Sequence, residues 1–252
     1  MRRLLAMLLS VALAGTCAGA TLNDHIKAGV PSPDRPWYGT DYQRLAELVV
    51  SGKVPLPMLN SEDTRPIFLA MVSRRGLSFY GNRDIPLNDR MPDCIALYGS
   101  VSTLLKKYLQ QHNERHIDSS RELARMTAHA LYLSTAMNSL LEEFLPTIQR
   151  DDKYEIRMDG LRKVKDGLAT FWGGAMLSLT ERTIYADEDI LIMANAMAEN
   201  IVSQQKLLGE KNLLEIQTRA EELIKKEKNE DIKAALKQIV DGSKAPLGKA
   251  AN

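Results

Sequence analysis

Between residues 120 and 149, Leu123, Met126, Ala130, Leu133, Met137, Leu140 and Phe144 recur at alternating steps of three and four. This heptad spacing places apolar side chains along one stripe of an α-helix. A second stripe, Ala124, Leu131, Leu141 and Leu145, widens the apolar face, so the helix is expected to pack on more than one neighbour. Ser119-Ser120-Arg121-Glu122 has the layout of a capping box at its start. At the usual rise per residue the helix would be roughly 40 Å long.

A second long helix is expected over 152–182, where Leu161, Val164, Leu168, Phe171 and Ala175 keep the same steps. Residues 167–179 carry no charge, and apolar or small residues occur on every side. A helix of that kind is normally buried all round, so this one is expected at the centre of a bundle. Ala169 with Gly173, and Gly174 with Ser178, are small pairs spaced to let a neighbouring helix approach closely.

The remaining pattern supplies shorter elements. Thr40-Asp41-Tyr42-Gln43 reads as a capping box for a helix carrying Leu45, Ala46, Leu48 and Val49. Phe68, Leu69, Met71 and Val72 form another apolar face, and Leu97, Val101, Leu104, Leu105 and Leu109 turn inward from a helix over 95–111. Asp187-Glu188-Asp189 places three carboxylates at a helix start, where the dipole favours them. Ile190, Met193, Met197 and Ile201 follow as its inward stripe, with Gly209 as its expected C-cap. Residues 210–241 read as charged amphipathic helices.

Three segments lack helical periodicity. Pro31, Pro33 and Pro36 make 21–39 an extended arm that ends in Trp37-Tyr38. In 77–93, Leu77-Ser78-Phe79-Tyr80 alternates, Gly81-Asn82 offers a turn and Pro86 demotes a second strand, which predicts a small irregular loop or hairpin. Residues 242–252 are expected to be a disordered tail. The expected fold class is therefore all-α: a multi-helix bundle with two long central helices, about 120–149 and 152–182, in a single domain over 40–241.

Residues 1–20 change the picture. Arg2-Arg3, an apolar run from Leu4 to Ala14, and Ala18-Gly19-Ala20 have the layout of a secretory signal peptide, with Sec export to a bacterial periplasm as the expected address. Lipidation at Cys17, or full secretion, is the alternative. Loss of Arg2 and Arg3 takes the formal charge from +1 to −1, which leaves no electrostatic footprint for nucleic acid. No later stretch is long and apolar enough to be a transmembrane helix. Only Cys94 remains after cleavage, so no internal disulfide can form; burial or pairing between chains is open to it.

Candidate chemistry is sparse. His112 and His116 stand at helical spacing, but Asn113 occupies the place where a zincin helix needs its Glu. They remain weak metal candidates. No cofactor is expected, although non-covalent haem with a Met or His axial ligand stays open. No catalytic residues are assigned: Ser203-Gln204-Gln205-Lys206 lacks the partner motifs of penicillin-binding enzymes. Met137, Phe171, Trp172 and Met176 are candidates for an apolar site between helices. Trp37, Tyr38, Phe79 and Tyr80 are candidates for partner contact.

The expectation is an exported, non-enzymatic protein-binding helical module of adaptor, chaperone, or inhibitor and immunity type, with another envelope or exported protein as partner. A periplasmic carrier of a small apolar ligand or haem is the alternative, and a metal-dependent hydrolase a further one.

Overall fold

The computed structural model describes residues 21–115 and 118–244, so the proposed signal peptide, Cys17 and His116 lie outside the described residues. Among the described residues the chain is all-helical, with several long helices packed together. The elements are α1 (Leu22–Lys27), α2 (Gly39–Val50), α3 (Arg65–Met71), α4 (Ser78–Gly81), α5 (Leu87–Arg115), α6 (Ser120–Phe144), α7 (Tyr154–Ser178), α8 (Asp187–Asn200), α9 (Gln205–Lys226) and α10 (Glu230–Lys244).

The double stripe on α6 explains the architecture. Leu123, Met126, Ala130, Leu133, Met137 and Leu140 enter one core, shared with α2, α3 and α5. Ala124, Ala128 and Leu131 enter a second core, built with the C-terminal half of α7 and with α8, α9 and α10. The expected packing on more than one neighbour is therefore present, with Leu141 joining the first core rather than the second stripe. Helix α6 is the central element, flanked by α5 and α8.

Helix α7 is long, as expected, but it lies to one side, against α9 and, less extensively, α6. Gly160, Gly167, Gly173 and Gly174 have nothing within 4 Å of an added Cβ, so no helix approaches them. The uncharged middle of α7 therefore does not signal burial on every side. Only Leu161, Leu168, Trp172, Ala175 and Met176 are buried along it. Small residues bring little apolar area, and so attract no neighbour on their own.

Other expectations need correction. The arm over 21–39 is not wholly extended: Thr21 and Asp24 cap α1 reciprocally, with Thr21 N–H donating to Asp24 Oδ2 at 3.0 Å. Helix α2 begins at Gly39 rather than after Thr40. Asp41 reaches back to accept the Tyr38 N–H at 3.1 Å, and Arg35 clamps the same carboxylate through two bonds. Residues 77–93 form no hairpin; they hold the single turn α4 and the first turns of α5, which starts eight residues before Ile95. Pro92 sits inside α5. Gly209 does not cap α8; with φ +67 it kinks α9 in the left-handed region that favours glycine. Helix α10 runs to Lys244 with Gly242 and Ser243 buried, so the proposed tail is ordered at its start.

The corner where α2 meets α5 is held at backbone distance. Asp93 accepts the Gly39 N–H at 2.8 Å and the Tyr80 hydroxyl at 2.6 Å. A Cβ on Gly39 would lie 2.1 Å from the Asp93 backbone oxygen, so one helix would have to move. Gly39→Ala is therefore expected to destabilise the protein by about 1–3 kcal/mol, the range for overpacking. Urea denaturation measures it; an unchanged midpoint would mean that the corner yields without loss.

Candidate functional site

The site grows from a mismatch between α7 and its neighbours. Its N-terminal half is charged and self-paired, with Lys163 to Asp159 at 2.7 Å and Arg162 to Glu155 at 3.4 Å. It sends Leu161 to the core, packs Met158 partly against it and holds most of its other side chains at the surface. The start of α5 and the end of α6 consequently face α7 across an open groove of about 750 Å³.

Met137 and Leu141 of α6 and Leu161 of α7 are buried and form its floor. Its lips are Ile95 of α5, 55% exposed, and Val164 of α7, 40% exposed. Polar groups are few: Asn88 and Arg157. Pro92 has no N–H, so the Asn88 carbonyl lacks its helical donor four residues on. Arg157 donates to the Gln149 carbonyl at 2.8 Å and pairs with Asp151, while its Nε is buried with no partner. The hydrogen bond from Arg157 holds the Asp151 carboxyl below the usual carboxylate range.

A shallower depression adjoins the groove between α2 and α5. Ala46, Val50 and Gly99 line it, and it shares Pro92 and Ile95 with the groove. Val50 is exposed, and nothing approaches Gly99. Ile95 is therefore a ridge between two apolar concavities on one face of the molecule.

Of the four apolar-site candidates, Met137 alone lines this groove. Trp172 and Met176 are fully buried in the second core, and the Trp172 indole N–H donates to Ser134 Oγ at 2.9 Å. Phe171 is half-buried against both cores. A ligand site around all four side chains is not formed, because Trp172 fills the space with its own ring.

The four partner-contact candidates do come together, but chiefly on one another. Trp37 is 3% exposed, donates from its indole N–H to the Ser32 carbonyl at 2.8 Å and meets the Tyr42 ring edge-on. Tyr80 is 1% exposed and donates to Asp93. Tyr38 and Phe79 are half-buried, their rings 5.2 Å apart. Trp37 and Tyr80 thus pin the arm and the 77–93 segment to the protein's own core and present no face to a partner.

Of the two metal candidates, only His112 is among the described residues. His112 Nδ1 accepts the Ser119 N–H at 3.5 Å, His129 lies in the core, and no group of three or more His, Cys, Asp or Glu among the described residues is placed to hold a metal ion. Cys94 is buried, and burial pushes its thiol up to about 12, which leaves it protonated and unreactive at neutral pH. No helix of the described residues is long and apolar enough to cross a membrane.

Pattern alone missed most of the groove. Val164 sits on an apolar stripe like a core residue, and Ile95 one position beside the buried stripe of Cys94, Leu97 and Val101; what distinguishes them is that no neighbour covers them. Arg157 carried no signal beyond its charge. Compared with known proteins, the chain matches no protein-family model, no curated protein and no solved structure.

Proposed function

We propose that this is a non-enzymatic binding protein of the bacterial envelope, and that the groove between α5, α6 and α7 receives the apolar face of an amphipathic helix from a partner protein. One observation carries the proposal: two apolar concavities, open to solvent, meet at the exposed Ile95 ridge. Contiguous exposed apolar surface rimmed by charge marks interaction sites more often than chance. The groove-lining residues run from Leu87 to Ile95, Met137 to Phe144 and Arg157 to Val164. Each stretch is about 12 Å, two helical turns, the length read by apolar anchors at i, i+3 or i+4, and i+7. Export supports the envelope address through the signal-peptide layout of residues 1–20.

The carrier reading keeps two supporting observations. The groove volume falls in the range of small-ligand sites, and the unpartnered Arg157 Nε is a donor suited to an anionic headgroup on an apolar chain.

A photo-crosslinking residue at position 95 or 164, in the protein expressed in its own host, separates the two. The expected result is a protein adduct from both positions and none from position 156, which is 74% exposed but outside the groove. The adduct should map to an amphipathic segment. A synthetic peptide of that segment should bind, and Ile95→Lys should weaken it about tenfold or more, since a buried lysine leaves an unpaired charge. A lipid adduct would replace the partner reading with the carrier. Equal adducts from position 156 would overturn both.

A further inference from the structure

His129 of α6 is 2% exposed, and its ring lies stacked on Tyr42 of α2, 5.9 Å between centroids. The Tyr42 hydroxyl has one proton, and it is donated to the Met71 carbonyl at the end of α3. Its oxygen must then accept from His129, which assigns the proton to Nε2, 3.2 Å away. His129 Nδ1 is left as a buried acceptor with no partner. Such an atom is unfavourable, because water would have satisfied it. It is also a place where this core can take up a proton.

We propose that His129 is an acid-sensitive latch that fastens the corner made by α2 and the end of α3 to α6, and that protonation at Nδ1 opens that corner. With both ring nitrogens protonated, a cation would sit in the core with no anion beside it. Helix α2 contributes Tyr42, whose neighbour Asp41 is already occupied by Arg35 and the Tyr38 N–H. The end of α3 contributes neutral backbone at Met71 and Val72. Asp93 of α5 is engaged by Gly39 and Tyr80. On α6 itself, Arg125 pairs with Glu188 and Asp189, and the Tyr132 hydroxyl donates to Glu199, all on the α8 side. The cation can be hydrated only if the corner lifts.

Burial is the main cause that holds the ring down to about 4 from its ordinary 6.5, against a smaller opposing backbone contribution from Val72. The open corner binds the proton more readily than the closed one. Opening is therefore unaffected above 6.5 and becomes steadily easier as pH falls from 6.5 towards 4. The corner carries Trp37, packed edge-on against Tyr42, so the arm is released with it.

Amide hydrogen exchange on the mature chain at pH 7 and pH 4.5, corrected for intrinsic rates, tests the latch. The expected result is a loss of protection of about tenfold or more in α2 and α3 at pH 4.5, with α10 unchanged. His129→Gln keeps an N–H for Tyr42 but cannot gain a proton, and should remove the acid loss. An unchanged corner, a loss spread equally into α10, or the same loss in the variant would each overturn the proposal. Should the variant fail to fold, nitrogen NMR of the wild-type ring decides: titration below pH 5 together with corner opening supports the latch, and titration near 6.5 in the closed form refutes it.

Discussion

Replacing Arg90 by methionine is expected to destabilise the protein by about 2–4 kcal/mol, because two backbone carbonyls lose the donor that satisfies them. The Arg90 side chain is 2% exposed. Its guanidinium donates to the Tyr80 carbonyl at 2.9 Å, to the Ile85 carbonyl at 2.8 Å, and twice to Glu143, at 3.1 and 2.5 Å. One side chain thus ties the irregular stretch before α5 to the end of α6. Methionine keeps the apolar stem and removes every donor. The two carbonyls lose their partner, and Glu143, which is partly exposed and held low by the Arg90 hydrogen bond, loses its counterion. In a protein of this size the melting temperature should fall by about 10 °C. Glu143→Gln should have a smaller effect, because its amide oxygen can still accept one of the two Arg90 hydrogen bonds and the guanidinium keeps both carbonyls. Equal effects for the two variants in urea denaturation would mean that the ion pair, and not the carbonyl clamp, is what matters.

Trp172→Ala is expected to be about as damaging, at about 3–5 kcal/mol for an aromatic emptied from a core. Trp172 is fully buried between α6, α7 and α8 and is the largest buried side chain of the second core. Its loss also leaves Ser134 Oγ without the indole donor, although the Ser134 hydroxyl still donates to the Leu131 carbonyl at 2.7 Å. Trp172→Phe keeps most of the apolar area and should lose about 1–2 kcal/mol. The outcome bears on function. A tryptophan that lined a ligand site would be removed with little change in stability and a loss of ligand. A tryptophan that is core gives a large fall in the urea midpoint and leaves crosslinking at position 95 intact in the folded fraction.

The two stripes of α6 were legible in the sequence because both cores press on one helix, and periodicity records the faces that must be apolar. The groove was not legible for a complementary reason. Val164 has the spacing of a buried residue, and spacing is the same whether a neighbour is present or missing; Ile95 lies one position beside the buried stripe of Cys94, Leu97, Val101 and Leu104. Trp37 and Tyr80 show the reverse. Their residue types and loop positions suited a partner, yet the Ser32 carbonyl and Asp93 satisfy their polar atoms and the core takes their rings.

Local chemistry settled the all-α class, the long helix over α6 and the amphipathic C-terminal helices, because each follows from residues a few positions apart. Long-range packing decided that α6 rather than α7 is central, that Pro92 lies within a helix, that His129 stacks on Tyr42, and that α7 stands away from α5. Those outcomes depend on which apolar faces meet. Many pairings of such faces bury similar area, and only backbone approaches such as Gly39 against Asp93, and buried polar clamps such as Arg90, select among them.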